Sequence, residues 1–173
     1  ANTSQHLQRL VRAGLVASHK QGQKVFYRLS DGAVVELLAA MRRIAEGNLA
    51  EVELLIARYL ASKDGLEAVA AEELEERIRS GSVTVVDVRP GEEYSAGHLP
   101  GAINIPLNEI EENIGQLPAG REVVAYCRGP YCVLAFEAVA KLREKGISAR
   151  RYEAGFPEWK QAGRPVEEAT PSS

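Results

Sequence analysis

The residues best suited to chemistry lie in one short loop, Cys127-Arg128-Gly129-Pro130-Tyr131-Cys132. The segment before it, Glu122-Val-Val-Ala-Tyr126, has the unbroken apolar character of a buried strand, and a helical pattern resumes from Cys132 to Lys145. Cys127 therefore stands where a strand ends and a loop leads into a helix. In α/β folds, ligands bind outside the carboxyl ends of the strands. A loop wrapping onto a helix start turns backbone N–H groups inward and adds the positive end of the helix dipole. That setting favours thiolate over thiol, and a cysteine there can fall from ~8.5 into the range ~3.5–7.5. Arg128 adds a fixed positive charge, and the loop from Arg128 to Val133 forms a cradle able to hold an oxyanion or a persulfide. The competing reading is that Cys127 is a small buried apolar residue, as free cysteines often are. Position alone leaves both open.

The elements around this loop predict how it is held. Val83 to Val88, Val123 to Tyr126 and, with a weaker pattern, Ile147 to Tyr152 read as strands, and 72–79, 107–116, 132–145 and 156–162 as helices. Such alternation predicts an α/β fold with a mainly parallel sheet and helices on both faces. The region ahead of it differs. Asn2, Thr3 and Ser4 are cap-type residues before Leu7, Leu10 and Val11 at helical spacing, and Gly14 ends that helix. A hairpin follows from Leu15 to Lys20 and Lys24 to Leu29 around Gln21-Gly22-Gln23. A long helical stretch then begins at Ser30 or Asp31 and runs to about residue 61. Ser62-Lys63-Asp64-Gly65 marks a boundary, giving regions 1–62 and 66–168 and a polar tail, 169–173.

Charge follows the same division. Residues 1–62 carry eight Lys/Arg against five Asp/Glu, and 63–173 carry thirteen against nineteen. The first 30 residues hold Arg9, Arg12, Lys20, Lys24 and Arg28 and no acid, so the head faces an anion such as nucleic acid. No apolar run approaches the ~18–20 residues of a membrane span, and two cysteines make no disulfide framework. Both point to a reducing, cytoplasmic setting with no membrane partner.

Several motifs resemble a known family. Asp87-Val88-Arg89, Glu93-Tyr94 and Gly97-His98-Leu99-Pro100-Gly101-Ala102-Ile103-Asn104-Ile105-Pro106, with Gly155, Trp159, Gly163, Pro165 and Val166, are similar in order and spacing to rhodanese (sulfurtransferase) domains. The resemblance implies that Cys127 takes the outer sulfur of a donor such as thiosulfate or polysulfide as a persulfide and passes it on, without cofactor or metal. It implies that Asp87 and Arg89 order loops near the site and that His98 is a turn residue. Many active rhodaneses carry a second basic residue where Cys132 stands, so thiosulfate loses a contact here. Cys132 could resolve a persulfide or simply pack at the helix start, and the second is preferred. Related cysteine phosphatases need Arg where Val133 stands, which argues against phosphatase chemistry. Two Cys and His98 fall short of a closed zinc set.

The head resembles the second half of an ArsR-type winged-helix repressor, from Asn2 through Ser30. This implies a partial winged helix followed by a long dimerisation-type helix, and hence a homodimer on a two-fold operator. Thr3, Ser4, Gln5, Gln8 and Arg9 would contact DNA from the recognition helix. Lys20, Gln23 and Lys24 would meet phosphate at the hairpin tip. The helices that position a recognition helix are absent from this sequence, so DNA binding is expected once the winged helix is complete. Residues 31–61 hold neither Cys nor His, which argues against metal sensing there, and His6 and His19 read as surface residues. Three functional readings follow: a regulator whose rhodanese-like domain handles or senses reactive sulfur, a sulfurtransferase whose head only dimerises, and a catalytically silent rhodanese fold used for protein binding. Cys127 at the expected position argues against the third.

Overall fold

The computed structural model describes residues 2–48 and 68–168. The chain divides into two compact units, Ala1–Glu53 and Leu54–Ser173. The expected boundary at 62–65, the tail at 169–173 and the continuation of the long helix toward residue 61 fall outside the described residues.

In the first unit, helix α1 (Asn2–Arg12) ends as its sequence predicts. Gly14 takes φ 73°, its N–H donates to Val11 O at 3.0 Å, and Leu15 N–H reaches back to Leu10 O at 3.1 Å. This paired closure satisfies the last carbonyls of the helix, and the left-handed residue it needs is cheapest as glycine. Strands β1 (Val16–Gln21) and β2 (Lys24–Leu29) pair antiparallel from Val16↔Leu29 to Gln21↔Lys24. Gly22 at φ 61° fills the first place of the two-residue turn, where positive φ matches the twist of a hairpin. Asp31 Oδ1 then accepts from Ala33 N–H at 2.8 Å and opens helix α2 (Gly32–Asn48).

The second unit is a four-stranded parallel sheet in the order β4-β3-β5-β6. Its strands are β3 (Val83–Asp87), β4 (Ile103–Asn104), β5 (Glu122–Tyr126) and β6 (Ala149–Arg151). Helices α3 (Ala71–Arg79), α4 (Gly91–Ser95), α5 (Ile110–Asn113), α6 (Val133–Glu144) and α7 (Phe156–Gln161) connect and cover them. Val83 to Arg89 are buried without interruption, as befits a parallel strand covered on both faces. The single helix expected over 107–116 is instead α5 between two 3-10 turns, Leu107–Glu109 and Ile114–Gln116. Leu117, extended at φ −77° and ψ 131°, ends this run because the following Pro118 disfavours helical backbone before it. The short α4 and β4 have no periodic signal, and the sequence reads neither as an element.

Strand alternation sorts the core into two halves. Val123, Ala125 and Cys127 join Val86, Val88 and Ile105 against Ala135, Ala138, Val139 and Leu142 of α6. Val124 and Tyr126 face the other way, with Val83, Val85, Leu74 of α3, Tyr152 and Trp159 of α7. Trp159 meets the Tyr152 ring edge-on at 5.8 Å and donates its Nε1–H to Pro165 O at 2.7 Å. The closing motif of the sequence is thereby part of the core.

Candidate functional site

Cys127 follows directly on β5, in the centre of the sheet, at the carboxyl end of the strand. Continuing the alternation of β5, its side chain enters the layer between sheet and α6 and is 0% exposed. Its Sγ is bonded to that of Cys132, with the two Cα atoms 6.2 Å apart. This departs from one expectation: the loop chemistry predicts an ionised sulfur at the mouth of the sheet, whereas the sulfur here is covered and covalently bonded. Cys132 packs against the same layer at the helix start, as preferred, and is bonded to its neighbour as well. It does occupy the N-cap position of α6, but it makes no side-chain capping hydrogen bond there. The reason is local geometry: Cys132 N–H donates to Gly129 O at 3.0 Å, folding the loop back so that the two cysteines face one another.

The loop has a defined bed. Phe156 N–H donates to Cys127 O at 3.0 Å, and a Cβ on Gly155 would overlap the backbone of Arg128 and Gly129. Only glycine allows this approach. Gly129 and Pro130 are partly covered, while Tyr131 is exposed. Val133, the first residue of α6, is partly covered.

Arg128 is not an uncompensated cation. Its Nε lies 3.0 Å from both carboxylate oxygens of Glu93 and its Nη2 lies 2.5 Å from Oε1, a forked pair on the surface. An anionic donor must compete with Glu93 for it. The sequence contains Glu93 within a recognised motif, but nothing in it announces a pairing across 35 residues.

Asp87 and Arg89 lie in the support beneath the loop. Asp87 is 0% exposed and receives Arg89 Nε at 3.0 Å and Nη2 at 2.5 Å. The Tyr126 hydroxyl donates to Asp87 Oδ2 at 2.5 Å and accepts from Leu99 N–H at 3.1 Å. Arg89 also donates to Gly97 O at 2.7 Å, and its guanidinium sits 4.3 Å from the centre of the Phe156 ring. A continuous path thus runs from Asp87 through Arg89 and Phe156 to the carbonyl of Cys127. Burial, reinforced by the adjacent Asp87 carboxylate, pushes the Tyr126 hydroxyl far above its ordinary range. For Arg89, burial is the largest single influence and lowers the pKa, but the hydrogen bonds and charge of Asp87 together with Tyr126 outweigh it and the pKa is raised. Each partner's hydrogen-bonding groups are met within the buried pair, which is the condition for such a pair to be tolerated. Asn104 Nδ2 ties this corner down, donating to Asp87 O at 3.0 Å and Arg89 O at 2.9 Å. Tyr126 and Asn104 are supporting residues to which the sequence assigned no role.

His98 is held at a turn. It is buried, its ring stacks on Tyr94 at 3.8 Å with Nδ1 2.9 Å from Tyr94 O, and its backbone pairs with Glu167. Among the described residues, no cluster of three or more His, Cys, Asp or Glu is arranged to hold a metal.

In the first unit, Thr3, Ser4, Gln5, Gln8 and Arg9 are exposed along α1. Lys20 and Lys24 are exposed beside the hairpin turn, with Gln23 within it.

Comparison with known proteins agrees with this architecture. The rhodanese-like domain family matches residues 70–162, the span that contains the sheet, the cysteine loop and its support. Along 168 residues, 97% of this chain and 74% of the relative, the sequence is 43% identical to the HTH-type transcriptional regulator Rv0324 of Mycobacterium tuberculosis. It is 31% identical over 108 residues to the human thiosulfate:glutathione sulfurtransferase, covering 55% of this chain and 94% of that enzyme. A solved structure from Bacillus halodurans superposes with a TM-score of 0.56 at 30% identity, covering 70% of this chain and 87% of the other. A rhodanese-related protein from Thermoplasma volcanium gives 0.53 at 28% identity, over 59% and 98%. The chain belongs to the rhodanese-like domain family and joins that domain to a head of the kind found in a helix-turn-helix transcriptional regulator.

Proposed function

We propose that this protein is an ArsR-like transcriptional regulator whose rhodanese domain handles or senses reactive sulfur through a persulfide on Cys127. The observation that carries the reading is the position of Cys127. It directly follows β5, an inner strand of the sheet, in a six-residue loop leading into α6, within the span matched by the rhodanese-like family. Reduction of the Cys127–Cys132 bond frees the nucleophile. Its thiolate then attacks the outer sulfur of thiosulfate or a polysulfide, and the remainder of the donor leaves. Asp87 and Arg89 act by positioning the loop. The forked hold of Glu93 on Arg128 leaves an anionic donor to compete for that cation, which weakens thiosulfate and inorganic polysulfide alike. Disulfides in a reducing cytoplasm are usually transient and redox-active, which suits a cytoplasmic sensor.

In the head, α1 enters the major groove with Thr3, Ser4, Gln5, Gln8 and Arg9 toward bases and phosphates, and Lys20 and Lys24 meet the backbone. The chain acts as a homodimer through α2, where Leu37, Leu38, Met41 and Ile44 lie exposed. Among the described residues, no helix is long and apolar enough to cross a membrane.

Intact-mass measurement of the reduced protein before and after donor treatment tests the sulfur chemistry. The chain gains sulfur, or is turned over to the disulfide, whereas Cys127→Ser is inert; uptake undiminished in that variant rejects the assignment. A second reading, a sulfurtransferase whose head only dimerises, is favoured by the similarity to the human sulfurtransferase. DNA binding separates the two. A regulator with its winged helix complete binds a palindromic promoter site with affinity that falls as salt rises, and an enzyme alone binds none even at low salt.

A further inference from the structure

We infer that Cys132 is a resolving nucleophile, so that the loop converts bound sulfane sulfur to sulfide and closes as a Cys127–Cys132 disulfide. The inference rests on the sulfur-uptake reading above and assigns a second reacting residue to the same site. Three observations carry it. The two sulfurs are already bonded, with Cα atoms 6.2 Å apart, a separation ordinary for a disulfide. The closed loop is hydrogen-bonded beside both cysteines: Phe156 N–H donates to Cys127 O, and Cys132 N–H to Gly129 O, each at 3.0 Å. The two residues also differ in access, since Cys127 is wholly covered while Cys132 is only partly so.

The chemistry balances without an external oxidant. In the first step the Cys127 thiolate bonds to the outer sulfur of the donor, and the donor's remaining fragment (sulfite, for thiosulfate) departs with the electron pair. In the second, the Cys132 thiolate attacks Cys127 Sγ. The Sγ–Sγ bond forms, the bond from Cys127 Sγ to the added sulfur breaks, and hydrosulfide leaves. The two cysteines are oxidised by two electrons and the sulfane sulfur is reduced by two. Attacking and leaving groups are both sulfur anions at the start of α6, where the helix dipole favours negative charge. The product buries Cys127 and blocks further uptake. An external thiol then attacks the more accessible Cys132, forming a mixed disulfide and freeing the Cys127 thiolate; a second thiol releases the Cys132 thiolate, and the two thiols leave as their own disulfide. A regulator built this way reports sulfane sulfur as a disulfide that persists until thiols remove it.

The test uses the full chain, reduced and freed of thiols under anaerobic conditions, and treated in separate arms with thiosulfate and with sodium polysulfide. Intact mass and released sulfide are followed in wild type, Cys132→Ala and Cys127→Ser. The expected wild type loses two hydrogens without gaining sulfur, and releases stoichiometric sulfide in the thiosulfate arm. A donor-free control stays a dithiol. Cys132→Ala gains one sulfur, holds it, and releases sulfide only when an external thiol is added. Cys127→Ser does neither. If wild type holds the added sulfur as stably as Cys132→Ala, the resolving role is overturned while sulfur uptake stands. If neither wild type nor Cys132→Ala reacts with either donor, uptake and resolution fall together.

Discussion

The two units of this protein are built from similar short elements, yet they treat apolar surface in opposite ways. In the second unit, strand alternation sends side chains to both faces of the sheet and a helix meets each. Leu74, Ile110, Leu142 and Trp159 are at most 1% exposed. In the first, none of the described side chains is fully buried, and Met41 and Ile44 on α2 are 58% and 65% exposed. A sheet covered by helices on both faces completes its own core, whereas a helix and a two-stranded hairpin have too few layers to do so. The second unit can therefore hold a reactive loop to a fixed geometry with its own contacts. The first keeps the correct local turns and caps but leaves its apolar face for another surface to cover.

The contrast can be broken most sharply at Asp87. Asp87→Ala leaves Arg89 as an uncompensated buried charge and removes a partner from Tyr126, and should cost about 3–5 kcal/mol. Urea unfolding followed through Trp159 fluorescence checks this, and a loss no greater than that of a surface substitution would mean the support is not what stabilises the unit. Gly155→Ala forces a methyl group into the backbone of Arg128 and Gly129 and should cost about 1–3 kcal/mol, with loss of sulfur uptake. Unchanged uptake kinetics would show that the bed can yield without moving the loop.

A third prediction concerns alkali. Tyr126 and Tyr152 are both raised above the ordinary tyrosine value of 10.0, first by burial, and Tyr152 is pushed up to about 12. Below pH 10 the folded and unfolded chains both keep these protons, so the full stability is present. Above it the unfolded chain releases them first, and stability falls as pH rises through the folded values. The slope should be about 1.4 kcal/mol per pH unit for each residue. Spectrophotometric titration of tyrosinate against denaturant midpoints measures it, and a flat midpoint from pH 10 to 12 would contradict it. The smallest effect belongs to the first unit. Asp31→Ala removes the cap on α2 at a cost of about 1 kcal/mol. It should lower helix content by circular dichroism while leaving the Trp159 transition in place, whereas a shift of that transition would show that the two units unfold together.

Much of this was legible beforehand. Gly14 and Gly22 are residues whose backbone freedom a helix end and a hairpin turn need, and both stand where the structure uses them. Val83 to Val88 and Glu122 to Tyr126 read as strands because apolar runs of this length between turns have little alternative, and β3 and β5 lie there. Less was readable between Pro90 and Leu117. There α4, β4 and the broken helix around α5 are too short for any period to emerge, and tertiary contacts bear on their form, those of β4 with β3 and of the α5 run with α6. The partner of Arg128 was hidden for a similar reason, since Glu93 reaches it only after chain segments 35 residues apart are folded together.

By itself, the sequence determined that a cysteine would follow a buried strand and precede a helix, because apolar runs, periodicity and turn residues act through neighbours along the chain. Only the tertiary structure decided what that sulfur meets. The register of β5 turns Cys127 toward α6, and a Gly129–Cys132 turn resting on Gly155 brings the second sulfur to it. Those are contacts across layers, set by packing, and local pattern does not carry them.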